Sequence, residues 1–299
     1  MAHFDVVLLT DSRYVNPVSP GEYVQNILTE DQIVKDALEG EGLRVERKDW
    51  ADPDFDWGST KAVLFRTNWD YFDRFSEFKR WVNSTSLKTK FINTIDLITW
   101  NVDKHYLANL SSENIRIVPT RYIPRGSLLT LEELHDLTGW EATVIKPTIG
   151  GAARHTYSIT PENLHTISNK LSGVMQKEDF MLQPFQYSIP ERGELSLMVF
   201  GNQFSHAVLK KAKEGDFRVQ DDYGGTVHEH HASDEEIAFA LKVVGACPEE
   251  PAYARIDLLL DNDGELAVSE LELIEPELWF RHNPKAASLL AKEVIKRLD

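Results

Sequence analysis

Short apolar runs alternate with longer amphipathic stretches in the first third of the chain, and that rhythm predicts its elements. Residues 4–9 (Phe-Asp-Val-Val-Leu-Leu) read as a buried strand, followed by a helix from about Asp31 to Glu39 and strands near 43–48 and 61–66. A helix near 73–82 and a short strand at 90–92 continue the alternation, which implies a parallel, doubly wound sheet. Ligands of such sheets sit at the carboxyl ends of the strands. Arg66-Thr67-Asn68-Trp69-Asp70-Tyr71, just past the third strand, therefore stands at a natural binding loop, although a packed aromatic loop with a salt bridge would use the same residues. One helix is expected from about Asp96 to Leu110, with Asp103 and Lys104 inside it.

After Pro119 the pattern changes. Short strands at 121–123, 142–146, 155–159 and 179–183 mix with helices at 130–138 and 161–171. From Glu194 hairpins dominate, with Gly201-Asn202 as a two-residue turn between 194–200 and 203–209. A helix at 234–245, a second hairpin, and a terminal helix from about Pro284 to Leu298 follow. The fold class is α/β plus α+β, with an N-terminal doubly wound (Rossmann-like) domain over 1–115. Two further units are expected, a small one over 116–183 and a larger one over 184–299.

The second hairpin carries the most informative pattern. Arg255-Ile256-Asp257-Leu258-Leu259-Leu260 and Glu265-Leu266-Ala267-Val268-Ser269-Glu270-Leu271-Glu272 flank an Asp261-Asn262-Asp263-Gly264 turn. If residues 261 and 264 close that turn, Asp257 lies opposite Val268 and Arg255 opposite Glu270. Side chains alternate along a strand, so Arg255, Asp257, Glu270 and Glu272 share one face and Ile256, Leu258, Leu260, Leu271 and Leu273 the other. Three carboxylates beside one guanidinium call for a further cation. A hard divalent ion completed by phosphate suits carboxylate oxygens; a solvated face of a surface hairpin is the alternative.

Composition narrows the partners. The 299 residues include 48 acidic against 32 basic side chains, a formal charge of −16 that disfavours nucleic acid or an anionic membrane while allowing a local basic pocket. Cys247 is the only cysteine, which excludes an internal disulfide and a thiolate zinc site and points to a reducing compartment. No stretch is apolar enough to span a bilayer, and the N-terminus lacks a signal-peptide pattern, so a cytoplasmic location is expected.

Several segments have the residue types of a phosphate site. Ala142-Thr143-Val144-Ile145-Lys146-Pro147 is an apolar strand ending in lysine, and Thr148-Ile149-Gly150-Gly151-Ala152-Ala153-Arg154 follows it. Small residues let backbone amides approach an anion, with the lysine as a point charge beside them. A Gly-Gly pair is also an ordinary turn, and the loop is neither a Walker motif nor a dinucleotide fingerprint. Phe180-Met181-Leu182-Gln183-Pro184-Phe185 enters an irregular linker whose free amides and carboxamide suit an adenine edge, or is a plain strand exit. Glu194 suits ribose hydroxyls, or is a solvated glutamate like most lone ones. Lys210, Lys211, Lys213 and Arg218 gather four cations before Gly224-Gly225, as a phosphate pocket or an exposed loop. His228, His230 and His231 alternate across a strand and do not converge as metal ligands must.

Taken in order, these segments resemble the ATP-grasp superfamily, in its glutathione-synthetase-like branch, over about residues 90–280. The resemblance rests on Asn101-Val102-Asp103-Lys104, Val144-Ile145-Lys146-Pro147, Gly150-Gly151, Leu182-Gln183-Pro184-Phe185, Gly193-Glu194, Lys210, Gly215 to Gln220, Gly224-Gly225, Arg255-Ile256-Asp257 and Glu270-Leu271-Glu272. Arg66 to Tyr71, Ser205-His206-Ala207 and Glu270 to Pro276 are also similar to a bacterial group that includes the synthetase closing the D-cycloserine ring.

The resemblance implies roles. Lys104 and Lys146 would contact ATP phosphates, under a loop including Thr148, Gly150 and Gly151. Gln183 and Phe185 would line the adenine site and Glu194 the ribose. Asp257, Glu270 and Glu272 would bind two magnesium ions, although Glu272 stands where asparagine is usual. Lys210, where a phosphate-binding arginine is usual, joins Arg218 and Arg255 as the expected catalytic cations. Arg66, Asn68, Asp70, Arg218, Gln220, Gly224 and Gly225 are the expected substrate contacts. The implied activity is a ligase that activates a small-molecule carboxylate as an acyl-phosphate for attack by an amine. A D-cycloserine-type ring closure and an ATP-binding protein without ligase activity are the alternatives, and a homo-oligomer is compatible with each.

Overall fold

The computed structural model describes residues 2–219 and 224–298. Its first sheet is parallel, built from β1 (Phe4–Thr10), β2 (Val45–Asp49), β3 (Thr60–Thr67) and β4 (Lys90–Ile92) in the order β2-β1-β3-β4. Val6–Leu9 and Ala62–Phe65 are fully buried, as central strands covered on both faces must be. The helix expected from Asp31 runs from Glu22 to Gly40. Its first half escaped the periodicity because the side chains it buries include Glu30 and Asp31 beside Ile27, Val34 and Leu38. A polar residue on the inner face of a helix hides the apolar stripe.

The second sheet is antiparallel and holds β5 (Arg121–Ile123), β6 (Thr143–Pro147), β7 (Tyr157–Ile159) and β8 (Phe180–Pro184), ordered β5-β8-β6-β7. Helices Leu131–Asp136 and Leu164–Met175 contribute Leu131, Leu134, Leu171 and Met175 to a core shared with Ile145, Ile159, Phe180 and Leu182.

The third sheet is antiparallel too: β9 (Glu194–Phe200), β10 (Gln203–Lys211), β11 (Thr226–His230), β12 (Tyr253–Leu260) and β13 (Leu266–Glu272), ordered β11-β10-β9-β12-β13. The expected helix at 234–245 is present, with Ser233 and Glu236 forming a capping box. The terminal helix Ala287–Leu298 follows a 3-10 turn at Pro284–Ala286. Its Leu290 and Val294 join Val34, Leu38, Phe200 and Tyr253 in a core common to the first and third sheets. Among the described residues no helix is long and apolar enough to cross a membrane.

Two expectations about the site-bearing elements need correction. The helix expected over 96–110 is two helices, Ile95–Asn101 and Tyr106–Ser112. At the break, the Lys104 N–H donates to the Thr148 carbonyl at 2.9 Å rather than continuing a helical ladder. The acidic hairpin is also out of its expected register. Its turn extends to Glu265, which accepts from the Asp261 N–H at 2.8 Å, and a bulge leaves Ser269 unpaired. Asp257 therefore faces Glu270 and Arg255 faces Glu272. Each change shifts the register by one residue, and together they shift it by two. Since side chains alternate with period two, the four polar residues stay on one face.

Candidate active site

One cleft collects residues from the second and third sheets and from segments beside the first. Its floor is the polar face of β9, β10, β12 and β13, where Glu194, Lys210, Arg255, Asp257, Glu270 and Glu272 meet. Val144, Lys146, Pro147, Gln183, Pro184 and Phe185 close it from the second sheet, and Tyr23, Trp69 and Phe72 come from helix and loop positions around the first.

Each floor carboxylate is turned to a cation or a hydroxyl. Asp257, 3% exposed, accepts from Arg255 Nε and Nη2 at 3.0 and 2.9 Å, from Lys210 Nζ at 3.0 Å and from the Ser196 hydroxyl at 2.6 Å. Lys210 also pairs with Glu194 at 2.7 Å. Glu270 receives Lys104 at 2.9 Å and lies 3.7 Å from Lys146. Glu272 pairs with Arg255.

The break at 102–105 gives Lys104 its reach, because its ammonium donates both to Glu270 and, at 2.6 Å, to the Gly150 carbonyl. Asn101 fixes the same segment to the edge of β13. Its carboxamide donates to the Leu271 carbonyl and accepts from the Leu273 N–H, both at 2.9 Å.

These pairings set the charge states. Burial works against the Glu270 carboxylate, yet Lys104 and Lys146 outweigh it and hold the carboxyl down at about 2. Burial likewise opposes an ionised Asp257, and Arg255 and Lys210 override it, so this group lies well below the usual range. At Glu272 burial wins over Arg255, with Asp257 and Glu270 adding to it, and the carboxyl rises to about 7. Glu275 rises to about 8 through burial and the charge of Glu272, which outweigh the Tyr71 hydroxyl and the charge of Lys104.

The glycine loop lies over the cleft. A Cβ on Gly151 would stand 2.9 Å from the Phe72 ring, so the loop approaches the first sheet as closely as a residue without a side chain permits. Arg154 pairs with Asp73 at 3.0 Å and Glu178 at 2.7 Å, which ties the loop to both sides.

Most sequence-predicted site residues converge here. Lys104, Lys146, Gly150, Gly151, Gln183, Phe185, Glu194, Lys210, Arg218, Arg255, Asp257, Glu270 and Glu272 all line the cleft. Thr148 does not. It is 1% exposed, and its carbonyl holds the Lys104 N–H from behind. Gly224 and Gly225 are not lining residues, and Gln220 lies outside the described residues.

Arg66, Asn68 and Asp70, expected as substrate contacts, are not among the lining residues either. Arg66 is 1% exposed, between Glu30 at 3.8 Å and Asp31 at 3.5 Å, and Asn68 is fully buried. Asp70 accepts from the Trp50 indole at 2.7 Å and pairs with Arg74 at 2.8 Å. The strand ends at Thr67, so Asn68 and Asp70 belong to the turn after it, where the chain folds back with Asn68 buried and Trp69 at the cleft.

The sequence points to residues 11–26, 66–73 and 275–283 as setting the pocket without singling out Tyr23, Phe72, Glu275, Glu277 and Trp279, which line the cleft. A signal existed in the recurrence of glutamate at 270, 272, 275 and 277.

The cleft's composition fits a nucleotide–metal site in kind. Oxygen ligands suit magnesium, and the lysines and arginines suit phosphate. Among the described residues no three carboxylates converge on one point, because each faces a cation of the chain itself.

Comparison with known families decides among folds that could carry such a cleft. A model described as the RimK-like ATP-grasp domain matches residues 142–276, and one described as the N-terminal domain of D-cycloserine synthetase DcsG matches residues 6–93. The chain belongs to the ATP-grasp ligase family. The cycloserine biosynthesis protein DcsG of Streptomyces lavendulae is 29% identical over 280 residues, covering 86% of this chain and 90% of that protein. A crystal structure of D-cycloserine synthetase DcsG superposes with a TM-score of 0.86 at 26% identity, covering 98% of this chain and 99% of the other. The D-alanine–D-alanine ligase of Bacillus anthracis, solved with ATP, shares the fold at a TM-score of 0.67 and 14% identity over 99% of this chain and 97% of its own. The ATP-grasp ligase PsnB, solved with magnesium, ADP and a precursor variant, does so at 0.63 and 14% over 99% and 100%. ATP-grasp relatives thus bind ATP and magnesium.

Proposed function

We propose that this ATP-grasp enzyme joins a small-molecule carboxylate to an amine at the expense of ATP. The observation that carries the reading is the arrangement of Lys104, Lys146, Lys210 and Arg255 against Asp257, Glu270 and Glu272 in one cleft. Lys104 and Lys146 hold ATP phosphates, Phe185 and Gln183 flank the base, and Glu194 takes the ribose. Asp257, Glu270 and Glu272 would hold magnesium, which when bound offsets the charge on the transferring phosphoryl group. The lysines and arginines that face these carboxylates would then turn to phosphate.

The substrate carboxylate oxygen attacks the γ-phosphorus and ADP leaves. The amine nitrogen attacks the acyl carbon, inorganic phosphate departs, and the nitrogen loses a proton. Arg218 and Arg255 stabilise the charge that develops on phosphate and carbonyl oxygens. The loop over Gly150 and Gly151 excludes water from an acyl-phosphate that hydrolyses readily.

The match of residues 6–93 to the DcsG N-terminal domain favours a second, narrower reading, in which amine and carboxylate belong to one molecule and a ring closes. Both readings require magnesium-dependent ADP release driven by a small acid. A screen of amino acids and simple carboxylates tests this, with Lys146→Ala as control. The lysine's charge-assisted bond is worth roughly 1.5–3 kcal/mol, so calorimetry should show ATP binding weakened by that amount with turnover nearly lost. Normal ATP affinity and turnover in Lys146→Ala would remove this cleft from the reaction.

A further inference from the structure

The cleft carboxylates are not alike. Asp257, Glu270 and Glu272 each face a lysine or arginine, Glu194 faces Lys210, and Glu277 pairs with Arg281. Glu275 lines the same cleft, and among the described residues it has no ion-pair partner. Its side chain meets the Tyr71 hydroxyl, and Tyr71 is 4% exposed. No lysine or arginine among the described residues lies within ion-pair distance of it, and Lys104, whose charge reaches it, is paired with Glu270.

A second polar group nearby lacks its complement. Trp279 lines the cleft and is 4% exposed, and its indole N–H has no acceptor. A buried unmade donor costs about 1–3 kcal/mol, and one that lines a cleft is open to an acceptor supplied by a ligand. The aromatic rings of Trp69 and Tyr23 stand at the same cleft, with centroids 6.5 Å apart, and aromatic faces attract cations.

The backbone carrying both groups is held firmly. The Glu275 carbonyl accepts from the Trp69 indole at 2.9 Å. Glu30, 1% exposed, accepts from the N–H groups of Leu278, Phe280 and Arg281 at 3.1, 3.0 and 3.2 Å. A subsite needs such preorganisation to select its ligand.

We infer that Glu275 anchors a positively charged nitrogen of the substrate and that the Trp279 indole donates to an oxygen of the same molecule. The inference rests on the ligase reading above and adds to it which residues read the substrate. An ammonium against Glu275 supplies the missing cation, in a cleft that Trp69 and Tyr23 also line. The acid that this enzyme activates thus carries an amine or another protonated nitrogen.

The test pairs amine-bearing acids with their deaminated counterparts, D-alanine with propionate and D-serine with 3-hydroxypropionate among them, in the ADP-release assay. Glu275→Gln keeps the shape and removes the charge. The active acid should carry a cationic nitrogen, and its KM should rise roughly tenfold to a hundredfold in Glu275→Gln. The KM for ATP should stay within twofold, roughly the scatter of neutral substitutions. Trp279→Phe should raise the acid's KM less, about fivefold. The deaminated acid should bind wild type poorly and lose nothing further in Glu275→Gln. An active acid without a cationic nitrogen, or an unchanged KM in Glu275→Gln, overturns the anchor and leaves the ligase reading standing. If no acid releases ADP, the ligase reading fails, and calorimetry on the magnesium–ADP complex decides the anchor alone. D-alanine must then bind more tightly than propionate in wild type and not in Glu275→Gln, and the lack of that difference overturns it.

Discussion

Arg66, deeply buried, and Arg255, which lines the cleft, each stand opposite two carboxylates, and they are held in different ways. Arg255 makes short contacts, with Asp257 at 3.0 and 2.9 Å and with Glu272. Arg66 stands 3.8 and 3.5 Å from Glu30 and Asp31, and its hydrogen bond goes to the Pro276 carbonyl at 3.4 Å. The difference lies in what else satisfies the carboxylates. Glu30 is filled by three backbone N–H groups, and Asp31 has Arg47 at 2.7 Å. Backbone donors at Glu30 leave nothing to exchange, and Arg47 is itself held by the Tyr14 carbonyl and the Thr10 hydroxyl. The cleft carboxylates depend on side-chain cations, which can swing away when metal and phosphate arrive. Charge at the first sheet therefore builds structure, while charge in the cleft is available for chemistry.

The largest expected effect tests the exchangeable side. Glu270→Gln should reduce magnesium-supported turnover by several orders of magnitude and change metal-free nucleotide affinity little, since Lys104 and Lys146 keep their charges. Equal activity of the two proteins across a magnesium titration would make the acidic face a structural one.

Arg66 tests the fixed side. Removing one partner of a buried pair leaves uncompensated charge and costs about 3–5 kcal/mol. Arg66→Ala should lower the stability measured in urea by that order, and calorimetry on the folded protein should find ATP affinity unchanged. A stable variant with a raised KM for the acid would move Arg66 into the substrate site.

A subtler contrast appears in pH dependence. The Glu272 and Glu275 carboxyls stand at about 7 and about 8 in the fold, against 4.5 for an unperturbed glutamate. Between those values the folded protein binds more protons than the unfolded chain, so these groups make stability fall as pH rises. The thermal midpoint of the metal-free protein should drop from pH 6 to pH 8.5, and Glu275→Gln should shrink the drop. The net charge of −16 acts in the same direction, so the difference between wild type and variant is the deciding quantity. Parallel profiles would show that Glu275 does not titrate there.

The smallest effect concerns the glycine loop. Arg154 holds Asp73 at 3.0 Å, but the Asp73 side chain is largely exposed, and such pairs contribute little. Asp73→Ala should leave the thermal midpoint unchanged and raise the KM for ATP less than about threefold. A large loss would make this pair a principal fastening of the loop.

Much of this could be read from residue order alone. Period-two alternation put Arg255, Asp257, Glu270 and Glu272 on one face, and apolar strands ending in Lys146 and Gln183 led to the cleft. These signals are local, because a strand's faces are set within a few residues. Tertiary structure decided the rest. The Glu22–Gly40 helix buries Glu30 because that carboxylate meets amides some 250 positions further on, which no local window contains. The break at Lys104 depends on the Thr148 carbonyl, and the bulge at Ser269 brings its hydroxyl to the Asp257 carbonyl at 3.1 Å and to Glu194. Arg66 reads from sequence as a binding residue at a strand's end, yet its side chain turns to Glu30 and Asp31 instead of the cleft. Residue type and spacing determined which chemistry the chain can carry. Which charges became fixed and which stayed exchangeable was decided by partners distant in sequence, because an ion pair's worth depends on what else reaches each carboxylate.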